Sequence, residues 1–117
     1  MTGNEIFERA LSLLGFTPAD NQSVSCKALK ARMPQILNRI LTDLKLPQIN
    51  DLSQSIDATA LKLDAVCCGC TMLLALSDGD NTKNRIFTEI YNARRAAALG
   101  ERTLKEDTLP KAYDGGI

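Results

Sequence analysis

Residues 65–77 form an uncharged and largely apolar stretch near the middle of the chain. This stretch is 13 residues long, whereas a helix needs about 20 residues to cross a bilayer, so the sequence predicts no membrane-spanning segment. A helix through it is apolar around its whole circumference from Ala65 to Leu76. With 117 residues the chain has room for one domain and one core. We therefore expect this helix either to be central and surrounded by the others, or to present one strip to a neighbouring subunit, and both can hold in part.

The composition is that of a folded globular protein with an aliphatic, helical core. Hydrophobic residues make up 44% of the chain and aromatic residues only 4%. Fourteen Lys and Arg balance fourteen Asp and Glu, so net charge gives no support to DNA binding. The N-terminal residues carry no secretory signal, and we expect synthesis to end in the cytoplasm.

The residues that most enzymes use are missing from the sequence. There is no His, which removes the commonest general base and metal ligand. We also find no Gly-rich phosphate loop, no paired carboxylates with a cleft and no nucleophile beside a base. The sequence therefore predicts a protein that is not an enzyme and that needs no cofactor.

Capping and breaking signals predict the first two helices. Thr2 and Glu5 have the spacing of a capping box, which starts a helix over about residues 3–14. A second helix, capped by Ser23 or Ser25, extends to about residue 45. Pro34 lies inside it, and we expect a kink near residues 30–33 or a helix that restarts there.

Two more helices follow. Asp57 is expected to cap a helix from Ala58 to about residue 77, with Gly79 as its left-handed stop. A fourth helix starts after Asp80, Asn81 or Thr82 and stops at Gly100. The prediction is an all-α bundle of about four helices over residues 1–100, with an extended C-terminal tail over residues 101–117.

Four cysteines allow three interpretations. Cys67, Cys68 and Cys70 are clustered, and Cys26 lies far upstream. A zinc site needs four converging ligands, but neighbours on a helix point about 100° apart. A redox pair favours a helix N-terminus, whereas this cluster lies in mid-helix. We expect the cysteines to be small core residues and predict no metal site.

Charge is balanced overall but not locally. The second and fourth helices are basic, and residues 47–80 are acidic. Solvated surface with pairing inside the chain is one explanation. The other is a head-to-tail interface in which a basic face meets an acidic face and closes copies into a ring. The candidate residues for that interface are Lys30, Arg32, Arg94, Arg95, Asp51 and Asp57.

The order of these features resembles a known family. The first helix ends in Leu13-Leu14-Gly15, the second carries ILNRILTDL at residues 36–44, and the third reaches Leu73-Leu74-Ala75-Leu76. The fourth contains Tyr91-Asn92-Ala93-Arg94-Arg95. Over about residues 3–100 the chain resembles the small helical head-tail connector (adaptor, or head-completion) proteins of tailed double-stranded DNA phages and prophages. The cysteine cluster and Pro34 depart from the family pattern.

The resemblance implies a structural ring protein of about twelve copies at the head-tail interface of a virion. Its partners would be the portal protein, neighbouring copies, and the next tail or stopper protein. DNA would be only a passing cargo in the channel, and no membrane would be involved. During assembly the protein would be in the host cytoplasm. The C-terminal segment would reach the portal or a neighbour through anchors at Leu104, Leu109, Tyr113 and Ile117.

Two other functions remain as alternatives. One is a small helical DNA-binding regulator that reads DNA with its second or fourth helix, for which a helix-turn-helix pair and net positive charge would be expected. The other is a thiol or metal protein built on the cysteine cluster.

Overall fold

A computed structural model of the chain describes residues 1–17, 20 and 23–108. Four helices make up the described part, α1 (Gly3–Leu13), α2 (Val24–Asp43), α3 (Ala60–Ser77) and α4 (Asn81–Thr108). Within these residues there is no strand, only an isolated bridge between Thr2 and Ser55. The predicted all-α bundle of four helices is confirmed.

The capping box of α1 is confirmed. The Glu5 amide donates to the Thr2 hydroxyl at 3.2 Å, and the Thr2 amide donates to the Glu5 carboxylate at 2.8 Å. Two amides that the helix itself leaves unpaired are thereby satisfied. After the helix Gly15 has a φ of 93°, a left-handed conformation that glycine adopts without strain.

Helix α2 starts as predicted but does not restart at Pro34. Ser23 is the N-cap, and its hydroxyl accepts from the Cys26 amide at 3.2 Å. The helix is continuous through Pro34. An interior proline costs about 3 kcal/mol, but Met33 and Leu37 on either side are both fully buried. Burial of such side chains stabilises by about 1.5–3 kcal/mol each, which is enough to keep one helix intact.

The segment between α2 and α3 is held by a side-chain amide. Asn38 on α2 donates to the Ile49 carbonyl at 2.9 Å and accepts from the Ile49 amide at 2.8 Å. Farther along, the Ile56 amide donates to the Met1 carbonyl at 2.7 Å. These bonds fasten the loop to α2 and to the start of α1.

The predicted N-cap of α3 is wrong by two residues. Thr59 caps the helix, and its hydroxyl accepts from the Lys62 amide at 3.3 Å. Asp57 is too far upstream of the first turn, which begins at Ala60, to take that position. The end of α3 is as predicted, because Gly79 has a φ of 79°. Asp80 then accepts from the Lys83 amide at 3.0 Å and caps α4.

Helix α4 does not stop at Gly100 but continues to Thr108. A glycine inside a helix costs only about 1 kcal/mol relative to alanine. The residues after it, Glu-Arg-Thr-Leu-Lys, are mostly good helix formers, and the first proline comes at position 110. The boundary predicted at residue 100 is therefore not a helix end. Leu109, Tyr113 and Ile117 lie outside the described residues, so an extended tail stays a prediction.

Helix α3 is the central helix. It packs against α1, α2 and α4, whereas α4 packs along α3 alone. The Asn84 amide group reaches the Met72 carbonyl and Arg94 reaches Asp64, so α3 and α4 form an antiparallel hairpin. Among the described helices only α3 is long and apolar enough to cross a membrane, with a mean hydropathy of 1.6, and half of it is buried inside the protein. Its contacts with three helices account for that composition.

Candidate functional site

Side chains of α2 and α4 both approach the backbone of α3 at Gly69. Gly69 of α3 faces both neighbours, and a Cβ added to it would lie 2.8 Å from the Tyr91 ring and 2.9 Å from the Ile40 side chain. Real Cβ atoms do not come so close to other atoms. Any side chain at this position would force its neighbours to shift, so the core has no free space here for a ligand.

The cysteine cluster belongs to the core. All four cysteines are buried, unpaired thiols. Burial raises the pKa of Cys67 and Cys68 and raises the pKa of Cys70 well above its ordinary value. A thiol with a raised pKa stays protonated and is a poor nucleophile and metal ligand. In the described part of the chain no three His, Cys, Asp or Glu side chains are placed to share a metal ion. The packing interpretation therefore fits the structure.

A polar cluster joins α2 to α4. Asp43, at the end of α2, accepts from the Tyr91 hydroxyl at 2.5 Å and from Nε of Arg95 at 2.8 Å. The Tyr91 hydrogen bond, helped by Arg95, lowers the pKa of Asp43. Burial and then the Asp43 hydrogen bond raise the pKa of Tyr91. The carboxylate therefore stays charged and the phenol stays neutral, which lets them link two helices that otherwise do not pack together.

This cluster is not among the features that the sequence predicts. Tyr91 and Arg95 are four positions apart, so they lie on one face of α4, and this spacing was the available signal. Their partner lies 48 and 52 positions away, and no local pattern identifies a contact over that separation.

Of the charged residues proposed for a subunit interface, two have partners within the chain. Arg94 pairs with Asp64 at 3.1 Å and Arg95 pairs with Asp43 at 2.8 Å, so both arginines have partners inside the chain. Lys30 lines a groove of about 400 Å³ between α1 and α2, beside Lys27. The remaining three, Arg32, Asp51 and Asp57, are exposed, with Asp51 accepting from the Ser53 amide at 2.7 Å. For the two arginines, pairing within the chain is the explanation that fits.

The predicted tail anchors are mostly beyond the described residues. Leu104 falls within the last part of α4. Leu109, Tyr113 and Ile117 are not described, so the tail interface remains an expectation.

The surface between α2 and α3 carries an apolar groove. Two adjoining cavities of about 210 and 330 Å³ share Arg39 and Leu73. The first continues to Ile36 and Leu76, and Leu76 is 56% exposed. The second extends to Tyr91 and the Asp43 cluster. We call this surface, defined by Ile36, Arg39, Leu73 and Leu76, the α2–α3 groove. It is the strip of the apolar central helix that the bundle does not fully cover.

Comparison with known proteins adds no assignment. No protein-family model matches the chain, and neither curated proteins nor solved structures include a match to it.

Proposed function

We propose that the chain is a structural head-tail connector of a tailed double-stranded DNA phage or prophage. In this function it forms a ring under the portal protein, extends the DNA channel and provides a platform for the next tail or stopper protein. In this function the protein acts through its shape, because each copy is a rigid wedge that contacts its neighbours and the portal. A wedge of this kind needs a well-packed helical core, and the close approach at Gly69 provides one.

The observation that carries the proposal is the length of α4. This helix has 28 residues and its hairpin partner α3 has 18. A Cβ built at Gly100 would have nothing within 4 Å, so one side of the helix is open here, although Ala98 two positions earlier is still fully buried. Another eight residues follow to Thr108, and at 1.5 Å per residue they add about 12 Å of helix. Because Arg94 pairs with Asp64 and α3 begins only four residues before Asp64, the last turns of α4 extend past the start of α3, and in the proposed function they lead toward a partner.

Deletion of residues 101–117 tests this function. The full chain should bind the isolated portal ring, and electron microscopy should show added density on the side of the portal where the tail attaches. The truncated chain should bind at least about tenfold more weakly, because the proposed anchors are lost. If the full chain does not bind the portal, the connector function is wrong. Unchanged affinity after truncation removes the C-terminal end from the mechanism.

A matched pair of full-length variants separates anchoring from helix length. One variant changes the four proposed anchors to Ser, namely Leu104, Leu109, Tyr113 and Ile117. The control changes four polar residues of the same segment to Ser, namely Thr103, Asp107, Thr108 and Asp114. Only the anchor variant should lose portal affinity, because apolar side chains provide most of the binding energy when a segment orders on a partner.

The geometry favours the connector over a DNA-binding regulator. Among the described helices only α3 and α4 are joined by a turn as short as that of a helix-turn-helix pair. These two helices pack side by side as a hairpin, and the turn contains Asp78 and Asp80, which would repel phosphate. Titration with duplex DNA at about 0.15 M salt tests the alternative, and specific binding would favour the regulator.

A further inference from the structure

Two apolar surfaces of the bundle have no partner within the described residues. One is the α2–α3 groove, where Leu76 is 56% exposed. The other lies on α4, where Ile86 is 49% exposed and Ala93 is also exposed. Glu89 lies between them on the same side of the helix. We call Ile86, Glu89 and Ala93 the outer face of α4.

The two surfaces point in different directions. Tyr91 and Arg95 reach α2, so their side of α4 faces the groove. Ile86 is nine positions before Arg95, and nine steps of about 100° place it on the opposite side of the helix. The outer face of α4 therefore points away from the groove, and one copy cannot use both surfaces on itself.

The charges of the two surfaces are complementary. Arg39 borders the groove, and no described carboxylate forms an ion pair with it. The charge of Arg39 helps to lower the pKa of the nearby Asp43, but the hydrogen bonds of that carboxylate go to Tyr91 and Arg95. Glu89 is an exposed carboxylate on the outer face and likewise forms no ion pair among the described side chains. An amphipathic helix with a carboxylate on its apolar side is what the groove and its arginine would accept.

We propose that the α2–α3 groove of one copy binds the outer face of α4 of a second copy, with Glu89 opposite Arg39. The two surfaces differ and lie on different sides of the molecule, so the contact is head-to-tail. Such a contact closes into a ring when the rotation between copies allows it. Only the ring closure rests on the connector function proposed above, because the contact itself can be tested on the purified chain.

Engineered cysteines test the contact directly. The variants are Arg39→Cys, Glu89→Cys and the double variant, in the full chain at about 1 mM, a concentration that populates contacts with a millimolar Kd. The native thiols are buried and should react slowly with a mild oxidant. The double variant should form a ladder of disulfide-linked oligomers, and each single variant should remain monomeric. Crosslinking of Glu89→Cys alone would show a symmetric α4–α4 pair, and a double variant without a ladder would show no contact, so either result overturns the proposal.

A charge exchange gives an independent test. Arg39→Glu and Glu89→Arg should each weaken self-association, measured by sedimentation, by about fivefold, because an attractive pair becomes a repulsive one. The double variant should recover to within about twofold. Lys27→Glu is the matched control, since it makes the same change on the side of α2 that faces α1. A control that weakens association equally, or a double variant that does not recover, contradicts the proposed pair.

The outcomes also separate this contact from the connector function. Portal binding without the disulfide ladder would leave the connector in place and reject this joint between copies. A ladder without portal binding would establish the joint and reject the connector.

Discussion

The close approach at Gly69 makes a sharp prediction about the core. In Gly69→Ala the added methyl would lie 2.8 Å from the Tyr91 ring and 2.9 Å from Cδ1 of Ile40. The ring has little freedom to move because its hydroxyl is bonded to Asp43. Overpacking of this kind costs about 1–3 kcal/mol, and the better helix propensity of alanine offsets up to about 1 kcal/mol. We expect a net loss of about 1–2 kcal/mol in the free energy of unfolding.

The chain contains its own control for this substitution. Gly100 is also inside a helix, but a Cβ there would have nothing within 4 Å. Gly100→Ala should therefore raise the free energy of unfolding by up to about 1 kcal/mol. Urea denaturation followed by far-UV circular dichroism measures both variants, with equal m-values showing that the unfolded states are comparable.

A double variant identifies the neighbour that is displaced. Ile40→Val removes Cδ1, which the new methyl would meet at 2.9 Å. Combined with Gly69→Ala it should show a favourable coupling of about 0.5–1 kcal/mol. If Gly69→Ala is as stable as the native chain, α3 does not lie this close to α2 and α4, and its central position in the bundle is wrong.

Two further predictions concern polar contacts. Asp43→Ala should lower the free energy of unfolding by about 1–2 kcal/mol near neutral pH, because Tyr91 loses its acceptor and Arg95 its partner. The lowered pKa of Asp43 sets the sign of the pH dependence. Its contribution is fully present above the ordinary value of 3.8 and is lost as pH falls through the lower pKa of the folded state. The gap between variant and native chain in urea titrations should thus close in acid, and a gap that persists there would contradict the assignment. Thr59→Ala should cost about 1 kcal/mol and Asp57→Ala less than about 0.5 kcal/mol; thermal unfolding of the two compares them, and equal losses would return the cap to Asp57.

Local signals in the sequence predicted most of the helix boundaries. The capping box at Thr2, the cap at Ser23 and the stop at Gly79 each depend on residues within a few positions of one another, and the structure has all three. Such contacts form within one turn of helix, so the spacing alone identifies them.

The errors have different causes. The restart that Pro34 suggested does not occur, because burial of Met33 and Leu37 keeps α2 continuous. Gly100 is a weak stop, and the helix formers after it extend α4. The link from Asp43 to Tyr91 and Arg95 joins residues about fifty positions apart. To predict this link one would need the angle at which α2 and α4 are arranged in the fold, and the periodicity of the sequence does not give that angle.

The same packing explains why a groove is present at all. An apolar helix can be covered completely only if the helices around it also touch one another. Here α4 packs along α3 without packing along α2, and the polar link at Asp43 bridges them near one end of α2. Leu73 and Leu76 of α3 therefore line an open groove beside Ile36, and no further helix covers them there. The part of the helix around Gly69 is thus enclosed in the core, as expected for a central helix, whereas the part around Leu76 is exposed. That a neighbouring subunit covers the exposed part stays a prediction.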